Sequence, residues 1–137
     1  MNYGKITQAY QNTEKQALQE TDDPHFIVLT MFNEMLKSMK LFADNADLKA
    51  GGELEVKSKH FARALSIIYA LQSSLDFEKG GDIANNLFQL YEYARQQMMS
   101  DLKAGKPEGS YQAISFLTEI RDAWEEMGKQ NDRNGGN

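Results

Sequence analysis

The chain has 137 residues, a net charge of −5 and no cysteine. That length suits one domain able to bury roughly two-thirds of its unfolded surface. Disulfides, thiolate metal sites and thiol catalysis are excluded, and an acidic chain with no basic cluster beyond pairs such as Lys57 and Lys59 argues against nucleic acid as a partner.

The polar N-terminus MNYGKITQAY has no apolar signal-peptide core, and no run approaches a membrane span. The expectation is a cytoplasmic chain with no direct membrane insertion. Residues 1–22 hold one short helical pattern, Ile6, Ala9, Tyr10 and Thr13, followed by a polar stretch. This is too little to bury alone, so a mobile N-terminal segment is expected.

Four long helical patterns follow. The first runs from about Pro24 to Ala46, with Asp23 as N-cap and Pro24 at the first helical position. Leu29, Phe32, Leu36 and Met39 form one stripe; Val28, Met31, Met35 and Phe42 form a second beside it. Together they are wider than one bundle seam requires. The second pattern spans about Glu53 to Phe77, with Phe61, Leu65, Ile68, Leu71 and Leu75 in register. The third spans about Asp82 to Ala104, with Ile83, Leu87, Leu90, Ala94 and Met98 in register and Phe88 and Tyr91 on an adjoining face. The fourth spans about Glu108 to Met127, with Ala113, Phe116, Leu117, Ile120 and Trp124, and Gly128 as its C-cap. Residues 129–137 are polar and read as a disordered tail.

No segment alternates like a strand. The predicted fold is all-α, an antiparallel up-down four-helix bundle over residues 23–128 with a short N-terminal helical segment. Gly80-Gly81 reads as a helix corner, with Gly80 left-handed and Asp82 capping the next helix. A phosphate loop would need a preceding strand and a following Lys-Ser/Thr.

Catalytic patterns are absent. His25 and His60 belong to no H-E-x-x-H or E-x-x-H motif, so neither a metal centre nor a di-iron site is expected. The acids fall mainly on polar faces, and no serine sits in a nucleophile elbow. The reading is of a chain that is not an enzyme, with no cofactor and no small-molecule substrate. Seven methionines, seven Phe and six Tyr fill a core or offer an adaptable apolar surface. Tyr91 and Tyr93 point about 160–200° apart on a helix, so both cannot face the core. The surplus apolar surface either accepts an amphipathic helix from a partner or is covered by the N-terminal segment.

The stretch LDFEKGGDIANNLFQLYEYA at residues 75–94 resembles the LD-x-x-KGGEIA-x-NL-x-x-LYDYM signature of the FliS family of flagellar secretion chaperones. KITQAYQ at Lys5–Gln11, DPHFIVLTMF at Asp23–Phe32, RALSII at Arg63–Ile68 and EIRDAWEEM at Glu119–Met127 resemble further family segments in the family's order. The family's LYDGA is replaced by Met31-Phe32-Asn33-Glu34-Met35, the frequent Ala-Asn late in the third helix gives way to residues around Asp101-Leu102, and the loop Asp44–Gly52 is the chain's own. The resemblance implies a cytoplasmic helical bundle of the flagellar type III secretion system. Such a chaperone binds the disordered C-terminal region of flagellin, prevents premature polymerisation and delivers the subunit to the export gate protein FlhA. By position it places Ile6 and Tyr10 in the mobile segment and Leu29, Phe32, Leu87, Leu90, Tyr91 and Tyr93 on apolar partner-binding faces. The alternative is a helical bundle that regulates by sequestering another flagellar or regulatory protein.

Overall fold

A computed structural model describes residues 23–135; Ile6 and Tyr10 lie outside the described residues. Helix α1 spans Pro24–Asp44. Asp23 caps it by accepting the His25 backbone N–H at 3.0 Å, and Pro24 takes the first turn, where its missing N–H costs nothing. A 3₁₀ turn, Leu48–Ala50, is held by the Asp47 carboxylate. Gly51 follows at φ 99°. A Cβ on Gly52 would overlap the backbone carbonyls of Asn45 and Asp47, so this loop packs too tightly for any side chain there. Helix α2 spans Leu54–Ser73, α3 Phe77–Ala104 and α4 Glu108–Gly135. Gly105 ends α3 in the left-handed conformation, at φ 67°.

The corner between α2 and α3 differs from the expectation. The connection is Ser74–Asp76, and Asp76 caps α3 by accepting the Lys79 N–H at 2.9 Å. Gly80 stays helical, its N–H bonded to the Asp76 carbonyl. The unusual backbone falls on Gly81, at φ 50° and ψ −124°, a region that only glycine enters cheaply. The glycine pair therefore kinks α3 one turn after its start. Asp76, an acceptor three residues before a free N–H, takes the capping role expected of Asp82. Gly128 likewise does not end α4: only Gly51, Gly81 and Gly105 have positive φ among the described residues, and the helix continues to Gly135.

Cross-helix pairs show that the helices run alternately up and down. Phe42 meets Phe61, with ring centroids 5.2 Å apart, and Glu34 pairs with Arg63 at 2.8 Å, which makes α1 and α2 antiparallel. His25 stacks on Trp124 and Tyr111 donates a hydrogen bond to Asp44, which does the same for α1 and α4. Tyr93 meets Phe116 and Asp101 meets Ser110 across α3 and α4. The result is an all-α bundle. Helix α1 lies between α2 and α4; α3 closes the ring against α4 and, more sparsely, α2.

This arrangement uses both stripes of α1. Met31, Phe32, Met35, Met39 and Phe42 are all buried, because one helix facing two neighbours needs an apolar arc of about twice the usual width. Most of the surplus surface expected on α1 is thus core, while Leu29 and Leu36 are half-buried. Met31, Met35, Met39 and Met98 fill it where a flexible side chain fits irregular gaps. The two most buried charged side chains are satisfied: Lys57 donates to the Ala46 carbonyl at 2.7 Å, and Asp101 accepts the Ser110 N–H at 2.6 Å. Ile83 and Phe116, predicted on seam positions, are exposed instead. Among the described residues no helix is long and apolar enough to cross a membrane.

Candidate partner-binding surface

The sparse α2–α3 seam opens into a cleft of about 440 Å³ lined by Tyr69, Gln72 and Ser73 from α2 and by Phe88, Glu92 and Arg95 from α3. Helical spacing builds both walls: positions three, four and seven apart share a face. Tyr69 on its rim is 71% exposed, as is Ile83 at the head of α3. Phe77, also exposed, sets its ring edge-on against Phe88, with centroids 6.0 Å apart. Tyr69 and Phe77 thus leave aromatic surface beside the cleft, which makes it the candidate interaction surface.

The floor of the cleft is polar and internally hydrogen-bonded. The buried Gln72 amide donates to Glu92 Oε1 at 3.0 Å and to the Phe88 carbonyl at 3.3 Å. Arg95 grips the same carboxylate with Nε and Nη2, at 3.0 and 2.9 Å. The Arg95 hydrogen bonds, with help from Gln72, pull the Glu92 pKa down to about 2. Glu92 is therefore a pinned anion and not a proton donor near neutrality.

A second concavity, about 330 Å³, lies where the chain enters α1 and is lined by Asp23, His25, Phe26, Leu29, Glu125, Gly128 and Lys129. His25 is half-buried. Its ring stacks on Trp124 at 4.8 Å and 4°, its Nε2 donates to the Trp124 carbonyl, and Trp124 Nε1 donates to the His25 carbonyl at 3.0 Å. A Cβ on Gly128 would run into the His25 ring. Gly128 is thus a close-approach glycine that admits the imidazole. His60 has a buried Nδ1 without a hydrogen-bond partner; burial, then the charges of Lys59, Arg63 and Lys37, lower its pKa. Among the described residues no three His, Cys, Asp or Glu side chains converge as metal ligands.

The sequence model of the family described as flagellar protein FliS matches residues 6–131. The chain belongs to the FliS family. It is similar to the flagellar secretion chaperone FliS of Vibrio cholerae, with 31% identity covering 88% of this chain and 86% of the relative. It also matches the flagellar secretion chaperone FliS of Salmonella typhimurium, at 28% identity over 87% of each chain. The flagellar secretion chaperone FliSB of Pseudomonas aeruginosa is 23% identical over 88% of this chain and 94% of its own.

Against the FliS resemblance, the expected contact residues that the structure describes divide into three groups. Phe32 and Tyr91 are each 2% exposed and meet across the core with centroids 6.3 Å apart. Both shape the bundle from inside, and burial drives the Tyr91 phenol pKa far up. Leu87, Leu90 and Tyr93 are half-buried against the core. Tyr93 sets its ring edge-on to Phe116 and its hydroxyl near Gln112 Oε1 at 3.4 Å. Leu29 lines the second concavity, away from the others. Sequence reasoning missed Tyr69, Phe77, Gln72 and Arg95. Two signals were available: Tyr69 stands outside the α2 seam register, and Phe88, Glu92 and Arg95 step by four and three along α3.

Proposed function

We propose that this FliS-family chain is a non-enzymatic flagellar export chaperone of the cytoplasm. It binds the disordered C-terminal region of flagellin, keeps it from polymerising and delivers it to the export gate protein FlhA. Family membership supports the flagellar role, and the relatives it matches are named as secretion chaperones. The observation that carries the client is the α2–α3 cleft, with exposed Tyr69 in its lining and exposed Phe77 packed on its Phe88. A disordered client loses conformational entropy on ordering, and apolar burial is the term able to offset that loss. Leu87, Leu90 and Tyr93, half-buried on α3, and Leu29, in the second concavity, offer further apolar contact outside the cleft, and Phe32 and Tyr91 support the bundle from within. Ile6 and Tyr10 lie in a segment that the client displaces.

The test is calorimetry with circular dichroism, titrating in a peptide of the last ~50 residues of the cognate flagellin. Tight 1:1 binding, a gain of helix and a large negative heat-capacity change establish coupled folding in an apolar groove. No binding at high micromolar concentration overturns the flagellin reading and puts sequestration of another flagellar protein in its place. Hydrogen exchange over Ile6–Thr13 tests the displacement: unchanged protection at saturation rules it out.

A further inference from the structure

We propose that Arg95 is a specificity-determining residue of the α2–α3 cleft, reading an acidic side chain on an amphipathic client helix laid along it; this rests on the chaperone reading above. The chemistry of the cleft changes along its length. Phe88, backed by Phe77, is an apolar anchor point. Glu92 follows one turn later with its oxygens engaged by Arg95 and Gln72, so its charge is compensated within the cleft. Arg95 closes the row, its side chain 41% exposed.

A guanidinium offers five N–H donors on two usable edges. Glu92 takes the edge formed by Nε and Nη2. The edge formed by Nη1 and Nη2 remains for a second acceptor, and the two-point grip on Glu92 fixes its direction beforehand. Glu92 and Arg95 compensate each other, so what the cleft presents beside Tyr69 and Phe88 is not a net charge but an oriented pair of N–H donors on the open guanidinium edge. The group that complements it is a carboxylate.

Spacing makes the inference specific. Phe88 and Arg95 are seven residues apart, about 10.5 Å along a helix axis. A client helix lying along α3 therefore meets the cleft with an aliphatic or aromatic anchor and, two turns away, an Asp or Glu. Apolar contact supplies the affinity and the ion pair sets register and selectivity.

The experiment uses the full chain and the flagellin C-terminal peptide, with binding measured at low and high salt. Arg95→Gln is expected to weaken binding about tenfold and to flatten its salt dependence. Arg95→Glu weakens it further. Amidating the peptide's acids one at a time identifies a single position, seven from an apolar residue, whose loss matches Arg95→Gln. Lys at that position restores binding to Arg95→Glu while harming it for the unsubstituted protein. A merely structural Arg95 would not single out one peptide position in both the amidation and the charge-swap series. Thermal melting of both variants checks that the bundle persists. Binding of both variants within about twofold of the parent overturns the inference and leaves an apolar-only client. Self-association of the free protein that Arg95→Glu abolishes overturns it in favour of a second copy of this chain. Failure of the parent protein to bind the peptide overturns the chaperone reading and this inference together.

Discussion

The two flanks of α1 and the seam between α2 and α3 are built from the same kinds of element and end in opposite states. Around α1, Met31, Met35, Met39 and Phe42 are sealed between neighbours. Between α2 and α3, aromatic residues stay at the surface, and the helices are joined in part by a polar bridge from Gln72 to Glu92. The contrast shows how a small bundle can seal one flank and leave another open. Helix α1 buries its side chains against two neighbours, while α2 and α3 leave Tyr69 and Phe77 at the surface. A hydrogen-bonded floor can hold that pair together while leaving its rim open, since a satisfied polar contact stabilises without covering apolar area.

The sharpest way to break the comparison is Met35→Ala. Met35 is wholly buried, so the cavity left behind should cost about 3 kcal/mol in denaturant unfolding; a cost no greater than that of a surface change would remove α1 from the centre. Next in size is Gly81→Ala, which forces a Cβ into the backbone conformation at φ 50° and should cost about 1–3 kcal/mol. Trp124→Phe removes the N–H donated to His25 and should cost about 1 kcal/mol, with smaller loss if water takes its place.

On the other side of the comparison, Tyr69→Ser and Ile83→Ser should change stability by no more than about 0.5 kcal/mol while clearly weakening flagellin-peptide binding. A large drop in melting temperature would make those residues structural. The smallest effect expected is at Glu92. Its pKa falls from 4.5 to about 2 on folding, so its contribution is present above pH 4.5 and fades as pH drops towards 2. Glu92→Gln should therefore lose less stability than the parent over that acid window, and should be indistinguishable in pH dependence near neutrality. The pair is partly exposed, which keeps the effect modest.

Much of the fold was legible in the residues. Asp23-Pro24 marks the start of α1 because a carboxylate can take a free N–H and proline needs none. The spacings of three and four in all four helices encode one apolar face each, and short connections make neighbours antiparallel. The FliS resemblance was legible for the same reason: its signature lies on α3 and on the corner before it. The proposed binding face was less so. Periodicity ranks residues by angle around a helix, but Ile83 and Phe116 share an angular register with core residues and are exposed, Phe116 even though Tyr93 meets its ring. Gly128 looked like a stop, since glycine ends many helices, and only the approach of the His25 ring from the far end of the chain explains it.

By itself, then, the sequence determined the helical class, the four long helices and the family, all consequences of local spacing, capping and turn chemistry. Tertiary structure alone decided that residues from both stripes of α1 enter the core, that Gly81 and not Gly80 bends α3, and that Gln72, Glu92 and Arg95 meet beneath an open apolar rim. Those outcomes depend on which helices become neighbours and how closely each pair approaches, and no local pattern carries that distance.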